Sequence, residues 1–217
     1  MSRAFRSLTA FLAVAAALGG CVSKPPLAVR RFVLDAPAGP LPTLAPDARV
    51  LALPPVRVNP AFLEPSLVYR LAGGRVEIDH YASLAAPPRA LLSSVIRAFL
   101  LREPFVRDVV PGLAGPSGLT LEVVAQELSG DFRDPVAPVG ALDLELAVYA
   151  GDPPPGATPL LRKVYSRREP LPDRSAVAVV GAWNRALASI MKEVGTDLAA
   201  LPLPPPPTAS PRAGRVG

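Results

Sequence analysis

The order of apolar and polar positions divides the chain into segments of different period. Near its start lies a largely apolar run over 8–18, and short strands then follow. Residues 31–35 and 50–53 are brief and apolar, and Pro54-Pro55 stops the second of them. Residues 67–71 and 75–79 flank Ala72-Gly73-Gly74, which predicts a hairpin with a Gly-rich turn. After Pro87-Pro88 the period becomes helical. Leu91, Leu92, Val95, Ile96, Phe99 and Leu100 form one apolar stripe, and Glu103-Pro104 ends it because the residue before a proline disfavours helix. Two long strands are predicted at 119–131 and 141–150. In the second, Leu142, Leu144, Leu146 and Val148 face one way and Asp143, Glu145 and Tyr149 the other, the signature of a sheet covered on one side. A Pro-Gly loop over 151–157 leads to a third strand at 160–169. Asp173 or Ser175 then caps a helix with the stripe Val180, Trp183, Leu187, Ile190, Met191, Val194 and Leu198. Strands and helices lack a βαβ rhythm, so the class is α+β: a single mixed or antiparallel sheet with two main helices packed on one face.

The first apolar run is shorter than the roughly 20 residues a membrane span needs. With Arg3 and Arg6 before it, the run suits a secretory leader over 1–20. It ends in Leu18-Gly19-Gly20-Cys21, which resembles a bacterial lipobox. The small glycines let the extended backbone reach a signal peptidase that cleaves between Gly20 and Cys21, and the thiol of Cys21 takes the lipid. The expected modification is an S-diacylglycerol and N-acyl group on Cys21, with no other cofactor. Residue 22 is Val rather than Asp, which favours the periplasmic face of the outer membrane. Residues 21–29 read as a lipidated tether, 30–200 as one domain and 201–217 as a disordered Pro-rich tail.

Removing the leader takes two of the 23 basic residues and leaves 18 acidic ones, a net charge of about +3 that is too weak to argue for nucleic acid. Cys21 is the only cysteine, so the fold is held without disulfides. His80 is the only histidine, which rules out a two-histidine metal site and reads best as a polar residue at a strand end. Glu122, Glu127, Asp143 and Glu145 are expected on a solvated face opposite Arg162 and Lys163. Neither a catalytic nor a metal site is expected.

The stretch VLALPPVRVNPAFLEPSLVYRLAGGRVEIDHYASLAAPPRALLSSVIRAFL resembles the ABC-type transport auxiliary lipoproteins, of which paraquat-inducible lipoprotein C is the best-known type. The matching phrases are Val56 to Pro60, then Pro65, Val68 and Arg70, then Ile78, Tyr81 and Pro87-Pro88. The opening RFVLDAP and the closing AWNRALASIMKEV fit the same family. The family commonly has a Trp where this chain has Leu84, and an acidic residue where it has Ala85-Ala86. The resemblance implies a role rather than a reaction. The partner it implies is an MCE-domain protein of a permease and ATPase system that moves phospholipids or other hydrophobic molecules between membranes. A homo-oligomeric ring is implied as plausible. Docking is expected on the turn 59–66 through Phe62 and Leu63, with Tyr69 and Arg70 beside them; the alternative there is that Phe62 and Leu63 both fold back onto the core. The alternative is a structural envelope lipoprotein with a domain like the amino-terminal domain of TolB.

Overall fold

The computed structural model describes residues 28–115 and 118–201. Nine strands form one mixed sheet: β1 (Arg30–Phe32), β2 (Arg49–Ala52), β3 (Arg57–Val58), β4 (Ser66–Leu71), β5 (Val76–Leu84), β6 (Val106–Val110), β7 (Leu119–Phe132), β8 (Val139–Ala150) and β9 (Leu161–Pro170). The helices are α1 (Pro88–Leu100) and α2 (Ala176–Ala199). This is the expected α+β architecture, with one sheet and two helices.

Strand β7 organises the sheet. One edge pairs antiparallel with β8 from Leu119↔Ala150 to Asp131↔Val139, and β8 pairs antiparallel with β9. Its other edge is shared by three strands in succession, all parallel to it. β2 lies beside Leu119 and Thr120, β3 beside Val124 and Ala125, and β4 beside Gly130 to Phe132. Beyond β2 lies β6; beyond β4 lie β5 and then β1.

Alternation along β8 holds as read: Leu142, Leu144, Leu146 and Val148 are buried while Asp143 and Glu145 are half-buried. Tyr149 departs from it. It is buried rather than wet, because Pro153, Pro154 and Pro155 of the following loop line the same hollow. The stripes of both helices join the sheet in one core, and the helices touch each other. Ser175 is the cap of α2, its Oγ accepting from Ala178 N at 3.1 Å, and the Asp173 carboxylate accepts from Ser175 N at 2.8 Å. Trp183 is buried near the middle of α2 and donates Nε1–H to Ser129 O at 3.1 Å. Two strand glycines set how closely α2 and Tyr69 approach. A Cβ on Gly130 would lie 2.8 Å from Tyr69 Cδ1, and one on Gly140 would collide with Ala182 Cβ.

Three elements differ from the sequence reading. β6 is an additional strand, and its outward Arg107 and Asp108 broke the apolar period. β3 is only two residues long. β5 does not stop at Asp79 but continues to Leu84 through a bulge.

Candidate functional site

The bulge in β5 is the most distinctive local feature. Val68 pairs with Ile78, but two residues earlier Ser66 pairs with Ser83, so β5 carries three extra residues. The Asp79 carboxylate accounts for this. Its Oδ1 accepts from Tyr81 N at 2.8 Å and Ala82 N at 2.9 Å, satisfying amides that the ladder has released. The Tyr69 hydroxyl donates to the other oxygen, Oδ2, at 2.7 Å. Tyr69 is itself fixed by stacking on Phe132, with ring centroids 5.1 Å apart. Burial first, and then the bond to Asp79, drives the Tyr69 phenol far above its ordinary range, so it remains a donor. The bulge turns His80 and Tyr81 outward; Tyr81 is 53% exposed.

Of the four docking candidates, Leu63 is exposed as expected and Phe62 is buried. The reason is local. Pro60–Phe62 is a 3-10 turn whose Asn59 accepts from Ala61 N and donates to Gln126 O, which ties the turn to β7 and folds Phe62 onto the core. Tyr69 is buried and supports the bulge rather than presenting a surface. Arg70 points to the sheet's outer face and pairs with Glu127 at 2.8 Å. Gly20 and Cys21 lie outside the described residues.

The outer face is a band of carboxylates on β7 and β8, bordered by arginines. Arg57 reaches Glu122 at 3.3 Å, Arg162 reaches Glu145 at 2.7 Å and Arg168 reaches Asp143 at 2.6 Å. Hydrogen bonds from Gln126 and Arg162 hold Glu145 below its usual range. Burial pushes Asp143 up, but hydrogen bonds from Arg168 and Ser166 outweigh it and leave it low. Lys163, expected on this face, sits on the other one. Its ammonium reaches Glu193 at 2.8 Å and Asp197 at 2.7 Å, and Tyr165 also donates to Asp197. One residue along a strand reverses the face, so Arg162 and Lys163 bind different layers.

Among the described residues no group of three His, Cys, Asp or Glu side chains could hold a metal, and no helix is long and apolar enough to cross a membrane. A shallow apolar hollow of about 260 Å³ lies between α1 and the β2–β6 edge, lined by Leu53, Ser93, Ser94, Arg97, Val109 and Val110. Sequence reasoning missed Asp79 and the outward Val76, Ile78 and Tyr81. An Asp inside a run of strand-forming residues was the available signal.

Residues 32–195 match the family model described as ABC-type transport auxiliary lipoprotein component. No curated protein matches the chain. Among solved structures, a protein from Xanthomonas campestris assigned to DUF330 is similar at 16% identity and TM-score 0.61, covering 77% of this chain and 95% of that one. A second crystal structure, of an uncharacterized protein, is 15% identical at TM-score 0.60, covering 79% of this chain and 99% of the other. At these identities the two structures establish the shared fold alone.

Proposed function

The chain belongs to the ABC-type transport auxiliary lipoprotein components, and from that premise we propose that it is the docking piece of an MCE-type transport system. In this reading it is fixed by lipid on Cys21 to the periplasmic face of the outer membrane. There it receives an MCE-domain protein whose permease and ATPase move phospholipids or other hydrophobic molecules between the membranes. The observation that carries the reading is that the family match spans residues 32–195, from the first strand almost to the end of α2. The site chemistry agrees with an auxiliary role. The outer face is a set of neutralised ion pairs, and exposed apolar groups include Leu63 in the 59–66 turn and Val76, Ile78 and Tyr81 on β5, which suits assembly rather than turnover. Leu63 is the exposed apolar residue of the turn that the reading assigns to the partner. A homo-oligomeric ring is part of the proposal, since head-to-tail contacts that close form rings.

The experiment is a pull-down from detergent-solubilised envelopes with the tagged lipoprotein, using Cys21→Ala as the unanchored control. Recovery of an MCE-domain protein is the expected result. Recovery of only peptidoglycan-associated or Tol-type proteins would sink the transport reading in favour of a structural envelope lipoprotein.

A further inference from the structure

We infer that the β1–β5 edge of the sheet is a membrane-contacting surface, one that lies against anionic phospholipid; this rests on lipid attachment at Cys21. Topology supplies the first argument. β1 runs parallel to β5 and enters beside it at Arg30↔Ala82, so the chain reaches the sheet along this edge. Nine Cα steps separate Cys21 from Arg30, and a fully extended chain covers at most about 30 Å in that distance. The opposite edge, β9, lies five inter-strand spacings further across the sheet, or about 24 Å. The sheet ends in three outer strands, β1, β6 and β9, and the tether joins it at β1, so the edge on the anchor's side is β1–β5.

The composition of that edge is the second argument. Val29, Val33, Val76, Ile78 and Tyr81 are all between 51% and 61% exposed on two adjacent segments. Arg30, Arg31 and Arg75 are exposed among them, and Arg31 and Arg75 form no ion pair with a described residue. Of the two acidic residues here, Asp79 is occupied by Tyr69 and two backbone amides, which leaves Glu77. Apolar side chains interleaved with arginines, and a tyrosine with a polar tip, match the boundary between headgroups and acyl chains. The chain's own preceding residues are poor candidates to cover the edge, because Pro25 and Pro26 lack the N–H groups that extending the ladder needs. The bulge that Asp79 holds turns Tyr81 outward onto the same edge. Seated this way, the domain holds the β9 edge out toward the periplasm, where a protein partner can reach it.

The test uses the mature chain with Cys21→Ala, exported behind a leader that is removed completely, so that no lipid contributes. Its sedimentation is measured with vesicles of phosphatidylcholine alone and of phosphatidylcholine mixed with phosphatidylglycerol. The expected result is several-fold more protein on the mixed vesicles. Arg30→Glu with Arg31→Glu should fall to the phosphatidylcholine level, and Ile78→Ser with Tyr81→Ser should lose most of the binding. Arg89→Glu with Arg107→Glu, an equal charge change at exposed positions on α1 and β6, should bind like the parent. Circular dichroism melts show that each variant is folded. The inference is overturned if the mixed vesicles retain no more protein than phosphatidylcholine, or if the control pair loses as much as the edge pair. It is also overturned if Ile78→Ser with Tyr81→Ser dissolves a dimer seen without vesicles, which makes the edge a contact between copies. Mass spectrometry of the native lipoprotein separates this from the premise: a lipid adduct on Cys21 without vesicle binding removes only the membrane contact.

Discussion

Replacing Gly140 with Ala tests how α2 is seated. Gly140 lies on β8 against the helix, and an added Cβ would overlap Ala182 Cβ while lying 3.5 Å from Val179 O and 3.6 Å from Ala182 Cα. These neighbours are backbone or a rigid methyl, so no side-chain rotation relieves the clash. Restoring ordinary carbon contact, about 3.5–4.0 Å, requires the helix to retreat by on the order of 1 Å. That loosens Val179, Trp183 and Ala186, which are buried at or below 1% exposure. Overpacking of this kind typically costs about 1–3 kcal/mol, and the stiffer unfolded chain returns about 0.4–1 kcal/mol. The net loss is about 1–2 kcal/mol, read as a fall in melting temperature of about 2–8 °C for a domain of this size. The decisive measurement is the double-mutant cycle with Ala182→Gly in urea or thermal unfolding followed by circular dichroism. Ala182→Gly alone costs about 1 kcal/mol in helix propensity, but in the Gly140→Ala background it removes the obstructing methyl. The pair should therefore show a favourable coupling of about 1–2 kcal/mol. Strict additivity would refute the argument that the missing Cβ sets the helix's approach.

Gly195→Ala should behave oppositely, because the atoms nearest its Cβ belong to the Glu103 carboxylate, the free end of a flexible chain. The helix gains up to about 1 kcal/mol, and a loss as large as that of Gly140→Ala in the same melt would contradict this. Burial pushes the Glu103 carboxyl up, so its charge opposes folding once the pH rises through the folded-state value. Glu103→Gln should raise the melting temperature at neutral pH and lose that advantage below about pH 4, where the parent carboxyl is protonated in both states; equal melting at both would count against it. Asp79→Ala leaves two amides and the Tyr69 hydroxyl without their acceptor. It should cost about 1–3 kcal/mol and speed hydrogen exchange at Tyr81 and Ala82, and unchanged exchange there would show that another group holds the bulge.

How much of this could be read from the sequence followed from how regular each element's period is. β8, α1 and α2 each bury one face, so their alternation or stripe was plain, and the class followed, with the helix cap narrowed to Asp173 or Ser175, of which the structure uses Ser175. β6 was hidden because Val106 and Val109 are buried three positions apart around the outward pair Arg107 and Asp108. β5 was cut short for a different reason. Asp is a poor strand former taken locally, but here its carboxylate replaces the ladder's missing acceptors, a role that depends on residues two and three positions on. Phe62 and Leu63 could not be told apart because prolines on both sides resemble an exposed loop, and the structure buries the first and exposes the second. What draws Phe62 inward is the bond from Asn59 to β7, a contact 67 residues away in sequence. Lys163 illustrates the sensitivity of a period of two: reading it together with Arg162 assigned two adjacent residues to one face.

The sharing of one β7 edge among β2, β3 and β4 also sets an order of events as the chain is made and folds. Residues 49–71 contribute three strands whose template is 119–132, so no hairpin rule can complete the sheet early. Within the first hundred residues only the β4–β5 hairpin and the short β1–β5 pairing can form without waiting. β2 can pair with β6 once residue 110 is made, but β3 and the β7-facing sides of β2 and β4 must stay open until β7 has emerged, and β7 then closes three loops at once. Such non-local closure is slow compared with helix or hairpin formation. The interval before residue 132 appears is therefore when this chain is most exposed to proteases and most in need of a holding chaperone.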